Sequence, residues 1–197
     1  MNSEQKSEQK SEQISDRLGA LSMEQMTNAQ RVVAQAIIDG PRGAVYGPFV
    51  PLLRSPELMQ HAQRMGEYLR FRSAIGSRLS ELAILVTARQ WNQKVEWAIH
   101  APIAAQCGID RAIIDAIGAR QSPHGLREDE AAVIDFCTEL HCNKKVSDAT
   151  YAKARRLFGE HGVVDLMGLN GYYTFLAMIM NSAQTALPKD AEWILPE

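Results

Sequence analysis

The chain is poor in the features that usually give a sequence away. Only three of its 197 residues are cysteine, Cys107, Cys137 and Cys142. An odd number at these spacings does not form a disulfide framework and points to a reducing, cytoplasmic setting. Charged residues make up 22% and the net charge is −2, which gives no electrostatic case for nucleic acid or for an anionic membrane. No stretch alternates with period two for long, and no Asn-Gly or Asp-Gly pair marks a hairpin, so there is no case for a sheet. The one long apolar run, Val163 to Met180, is interrupted by Asp165, Asn170 and Gly171. A run of that length and polarity reads as a core or interface helix rather than a membrane span. The first residues lack the basic and apolar segments of a secretion signal.

What is present suits one all-α domain. Apolar residues reach 46%, enough for a sizeable core. Residues 1–15 carry a Ser-Glu-Gln-Lys repeat with nothing apolar from Asn2 to Gln13; such a segment cannot offset the entropy of ordering and is expected to be a disordered tail. The domain then spans 16–197, with about eight helices. Ser22 and Gln25 resemble a capping box opening a helix toward Asp39, which Gly40-Pro41-Arg42-Gly43 stops. A Gly/Pro-rich loop runs to Ser55. Ser55-Pro56-Glu57 starts a helix expected to end near Gly76. Further helices are expected over Arg78–Trp91, Lys94–Gln106 (with Gly108 past its end), Asp110 to Gly118, Glu128–His141, Ser147 to Gly159, and Val163–Ser182.

The informative residues lie in the middle. Glu96 and His100 are four apart in Glu96-Trp97-Ala98-Ile99-His100, so they share one face of an otherwise apolar helix. Glu81 sits on the preceding helix among Leu82, Ala83, Ile84 and Leu85, and reaches His100 if the two helices pack as a hairpin. Burying a carboxylate is costly unless it is paired or used. An acid/base cluster is one reading, because histidine titrates near neutrality and a carboxylate fixes its tautomer, while a second buried carboxylate is pushed toward its neutral form. A buried ion pair joining two helices is the competing reading, and a metal site from Glu and His at i, i+4 is a third. Pro102 removes the amide that would bond the Ala98 carbonyl, so a kink near His100 is expected, with that carbonyl as a possible partner.

For a carboxylate-bearing ligand, Arg78 and Arg89 are the cations nearest in sequence, and Arg42 lies in the Gly/Pro loop. For each of them a solvated surface charge is the leading alternative. Trp91, Trp97, Tyr46 and Tyr172 are candidate pocket walls, with core packing the alternative. The cysteines read as small buried hydrophobes. No role follows for His61, His124, His141 or His161.

The run Ser80-Glu81-Leu82-Ala83-Ile84-Leu85-Val86, then Trp91, Glu96-Trp97-Ala98-Ile99-His100, Ala104 and Gly108-Ile109 resembles the carboxymuconolactone decarboxylase family. Gly40-Pro41-Arg42-Gly43, Gly47-Pro48-Phe49, Leu53-Arg54-Ser55-Pro56-Glu57 and Asp165-Leu166-Met167 to Gly171-Tyr172-Tyr173 extend the likeness to its larger members, over about residues 20–188. The resemblance implies the all-helical fold of alkylhydroperoxidase D and assembly through helices into a homo-oligomer (dimer, trimer or hexamer). The peroxidase branch uses a Cys-x-x-Cys pair, a His four residues after the second Cys, and an upstream Glu. Glu81 and His100 match the Glu and His, but Gln93 and Glu96 stand where the cysteines would be, which removes the thiolate nucleophile and its resolving partner. The decarboxylase branch needs no cysteine and no cofactor. The resemblance therefore implies a cofactor-independent lyase acting on a small carboxylated lactone such as 4-carboxymuconolactone, with His100, Glu96 and Glu81 catalytic and no metal. A hydroperoxide-reducing antioxidant protein and a non-catalytic helical oligomer are the alternatives. No nucleic-acid or membrane partner is expected.

Overall fold

The computed structural model describes residues 16–197; the expected tail, residues 1–15, lies outside the described residues. Eight helices and no strand occur among them: α1 (Asn28–Ile38), α2 (Phe49–Leu52), α3 (Pro56–Phe71), α4 (Gly76–Gln90), α5 (Lys94–Gln106), α6 (Arg111–Gly118), α7 (Glu128–Asn143) and α8 (Asp148–Ala183). The middle of the fold is α4. Every residue from Leu79 to Arg89 is buried, and α5, α7 and α8 pack around it, with α3 and α6 also in contact. A helix apolar on all sides is stable only when enclosed in this way. Glu81 is thereby carried into the centre of the molecule.

The helix that passes for a membrane span by length and hydropathy is a core helix, with 56% of its apolar window buried. Asp165 of α8 accepts hydrogen bonds from the Tyr68 hydroxyl and the Ala74 amide, and Asn170 donates to the Leu166 carbonyl. Gly159 breaks α8 into two helical segments, with φ 67° and ψ 177°. That backbone suits glycine, which has no Cβ to clash.

Three expected boundaries are corrected. The first helix opens at Asn28: Thr27 and Gln30 form the reciprocal capping box. At Ser22 only half of a box forms, because the Ser22 hydroxyl turns to Glu24 while its amide bonds Gln25. The third helix stops at Phe71 rather than near Gly76, since Asp165 captures the Ala74 amide and holds the following turn. Gly76, at φ 77°, instead opens α4. The Gly/Pro loop contains α2, where Pro51 falls in the first turn and its missing N–H leaves no bond unmade.

Candidate active site

Helix α5 supplies two of the three central side chains, and its start explains their aim. Gln93 caps it, its side-chain oxygen accepting from the Val95 and Glu96 amides at 2.7 and 3.3 Å, while its amide nitrogen donates to Asn181 on α8 at 2.8 Å. The residue at the first cysteine position of the peroxidase pattern is thus a helix cap and a tie to α8. From this start, Glu96 and His100 lie one turn apart on the face toward α3 and α8. The helix runs through Pro102 without a break.

The Glu81 carboxylate lies behind His100, 2.6 Å from Nδ1. Its other oxygen accepts from Arg70 Nε at 3.2 Å. Glu81, not the Ala98 carbonyl, is therefore the partner that fixes the imidazole. Burial alone would raise the Glu81 carboxyl, but the charges and hydrogen bonds of His100 and Arg70 outweigh burial and hold it below the ordinary carboxylate range. With Nδ1 committed to Glu81, Nε2 is the nitrogen left for chemistry. Tyr173 stands edge-on to the imidazole, ring centres 5.2 Å apart, and Tyr172 stands edge-on to Tyr173 at the same distance.

Glu96 is the opposite case. It is 2% exposed, and neither carboxylate oxygen has a hydrogen-bond partner among the described residues. Burial raises its pKa well above the usual value, which favours the protonated, uncharged carboxyl over the carboxylate.

His100 and Glu96 line a cavity of about 30 Å³ together with Arg42, Arg70, Tyr46 and Tyr172. The cavity lies beneath the Gly/Pro loop. Gly47, at φ 56°, packs there against Ile99, and a Cβ at this position would lie 3.3 Å from the Ile99 side chain. The Tyr172 hydroxyl fits against Gly66 of α3, where a Cβ would collide with it, and burial pushes its phenol up to about 12.

The expected site residues therefore divide. Glu81, Glu96, His100, Tyr46 and Tyr172 come together. Arg78, Arg89, Trp91 and Trp97 do not. Arg78 pairs with Asp129 and Glu130 at the start of α7. Arg89 lies eight residues beyond Glu81, about 12 Å along the helix, and donates to the Pro196 carbonyl at 2.9 Å. Trp91 donates to Thr174 at 3.1 Å, and Trp97 packs in the core against Gly118. Nearness along a helix misled here, because direction around the helix decides which face a side chain serves. Sequence reasoning missed Arg70 and Tyr173. Arg70 sits on α3, outside any local pattern with Glu81, and only the packing of α3 on α4 brings the two together.

A larger groove of about 540 Å³ runs beside α4, α6 and α7, past Arg89, Arg120 and Asp135. It holds no counterpart of the Glu81–His100–Glu96 arrangement. No three His, Cys, Asp or Glu side chains converge as a metal-ligand set among the described residues.

No protein-family model and no curated protein matches this sequence. Solved structures match the fold. An uncharacterised peroxidase-related protein from Ralstonia eutropha JMP134, described as an alkylhydroperoxidase AhpD core, is 14% identical with a TM-score of 0.71, over 88% of this chain and 93% of that one. The debrominase Bmp8 in complex with 2,3,4-tribromopyrrole is 11% identical with a TM-score of 0.70, over 89% and 94%. An uncharacterised peroxidase-related protein from Silicibacter sp. TM1040 is 12% identical with a TM-score of 0.68, over 87% and 91%. The all-helical architecture is that of the alkylhydroperoxidase D-like proteins. That fold also carries a debrominase, so it supports more than one chemistry.

Proposed function

We propose that this protein is a cofactor-independent acid/base enzyme, a carboxy-lyase of the carboxymuconolactone decarboxylase type acting on a small lactone that bears carboxylates. The observation that supports it most is the contrast between two buried carboxyls on either side of the His100 position: Glu81, hydrogen-bonded to His100 and Arg70 and shifted down, and Glu96, on the cavity without a partner among the described residues and shifted up. Environments that push two carboxyls apart in this way assign the acid and the base.

In the reaction, the bond between the ring carbon and the departing carboxylate breaks and carbon dioxide leaves. The electron pair passes through the ring double bond onto the lactone carbonyl oxygen. His100, with Glu81 behind it to balance charge, donates from Nε2 to that oxyanion. Glu96 gives its proton to carbon and regains one from solvent. As a neutral acid, Glu96 does not repel the substrate carboxylate, the objection that an ionised Glu96 would raise. The 30 Å³ cavity has room for little more than water, so the Gly/Pro loop must open to admit a lactone.

The test is loss of lactone absorbance when protein is added to 4-carboxymuconolactone. Rapid loss with wild type and none with folded His100→Ala supports the assignment. Equal loss with both removes His100 from the centre, and no loss with wild type removes this substrate.

The hydroperoxidase reading is less well supported. No cysteine lines the cavity; Cys137 is fully buried, with burial pushing its thiol to about 12, and Cys142 is exposed. A purely structural role for the cluster leaves the unpartnered Glu96 carboxyl unexplained. Assembly with further copies of the chain is part of the proposal. Exposed apolar residues on α8 (Val164, Met167, Met178) and α3 (Leu58, Met65) are the surfaces it would use.

A further inference from the structure

Resting on that reading, we propose that Arg42, with the Tyr172 hydroxyl, is the receptor for the substrate carboxylate that is retained, and that the loop bearing Arg42 closes over the bound anion. Among the described residues, seven buried side-chain nitrogen or oxygen atoms lack a hydrogen-bond partner. Four of them belong to residues that line this one cavity: Arg42 Nη1, the Tyr172 hydroxyl and both Glu96 oxygens. Orphaned buried polar atoms are few in a native interior, and a cluster of them marks groups that a ligand completes. Glu96 and Tyr172 are 2% and 3% exposed, so water does not satisfy them from outside.

The four atoms also define the ligand's charge. Two cations line the cavity. Arg70 is committed to Glu81, whereas Arg42 pairs with no carboxylate among the described residues and rests over the Phe49 ring, 4.8 Å from its centroid. Arg42, Glu96 and Tyr172 line the same cavity, and the Arg42 and Glu96 charges both act on the phenol. A carboxylate seated at Arg42 accepts from the guanidinium and the phenol together, a charge-assisted arrangement. The other end of the cavity offers Glu96 and His100 but no uncommitted arginine. A substrate carboxylate placed there is not stabilised by a free cation before it leaves as carbon dioxide, which favours the transition state over the ground state. The site thus distinguishes the two carboxylates of one substrate.

The loop supplies the motion. Gly43 and Gly47 have φ of 70° and 56°, backbone that glycine adopts without strain, and they bracket the turn between Arg42 and α2. Opening this segment enlarges the cavity, and anion capture by Arg42 draws it shut.

The experiment compares wild type with Arg42→Gln, Arg42→Lys and His100→Ala. Titration calorimetry uses (5-oxotetrahydrofuran-2-yl)acetate, a saturated lactone acid that carries only the retained carboxylate and cannot react by this route, and its methyl ester. The acid should bind wild type and His100→Ala well above the ester, and Arg42→Gln should lose about 10- to 100-fold in acid affinity, the usual cost of a charged hydrogen bond, with Arg42→Lys in between. On 4-carboxymuconolactone, Arg42→Gln should raise KM more than it lowers kcat. Equal binding of acid and ester by wild type, no binding of either, or unchanged acid binding by Arg42→Gln overturns the proposal. If wild type binds the acid through Arg42 yet leaves 4-carboxymuconolactone intact, the anion receptor stands and the decarboxylase reading fails.

Discussion

Two buried carboxyl groups of this bundle, Asp165 and Glu96, have opposite surroundings. Asp165 is 5% exposed and fully employed: both oxygens accept from the Tyr68 hydroxyl, at 3.0 and 3.1 Å, and one also accepts from the Ala74 amide at 2.8 Å. It ties α8 to α3 and to the turn leading into α4. Glu96 is buried more deeply and accepts from no group among the described residues. A saturated polar network fixes a scaffold, whereas an unsaturated one lowers stability unless something binds there. Conformational stability should therefore depend on the Asp165 region and chemistry on the Glu96 region, and substitutions can separate the two.

The largest effect expected is on turnover. His100→Ala should lower kcat on a substrate lactone by about 10²- to 10⁴-fold, the range for loss of a positioned acid/base group, while the helical circular-dichroism spectrum is retained. Asp165→Ala should do the reverse. It strands the Ala74 amide and leaves the Tyr68 hydroxyl only its bond to His161, and should cost about 1–3 kcal/mol of unfolding free energy in denaturant titration, with turnover per folded molecule little changed.

Glu96→Gln sharpens the comparison through pH. Because burial raises the folded-state pKa of Glu96, its proton favours the native state below the ordinary carboxylate range, and that contribution is lost as pH rises through the folded value. Glu96→Gln should therefore raise Tm relative to wild type at pH 8 and not at pH 4, while lowering kcat. The pH–rate profile should have an alkaline limb that disappears in Glu96→Gln. Glu81, whose carboxyl is lowered, sets the acid limb, with activity lost as pH falls through its folded value. A Glu96→Gln variant with wild-type Tm at pH 8 and an unchanged alkaline limb would remove the contrast.

The smallest effect is expected at Gly66. Alanine there gains about 1 kcal/mol of helix propensity, but its Cβ meets the Tyr172 hydroxyl. Because the Tyr172 ring is buried and must shift, Gly66→Ala should lower Tm as well as raise KM.

Much of this was legible in the sequence where local rules dominate. Helix α5 spans the residues expected between the Asn92-Gln93 break and Gly108, and the Glu81–His100 contact was open to the sequence on condition that α4 and α5 pack as a hairpin. The direction of the Glu96 shift was expected for a second carboxylate in one pocket, while the cause in the folded protein is burial. Long-range partners were not legible. Arg70 reaches Glu81 only because α3 crosses α4, and Asp165 read as an interruption in an apolar run because its partners, Tyr68 and Ala74, are more than ninety residues away. Arg78 and Arg89 were attractive by number alone, yet they serve α7 and the final residues of the chain. Arg42 was visible as a loop cation, but its isolation from any carboxylate is a property of the folded cavity.

The most direct test of the central claim is the infrared difference spectrum of wild type minus Glu96→Gln at pH 7. A protonated carboxyl carbonyl band present in wild type and absent from the variant is the predicted result. A carboxylate band in its place would mean that Glu96 is ionised in the folded protein, and the assignment of Glu96 as the proton donor would be wrong.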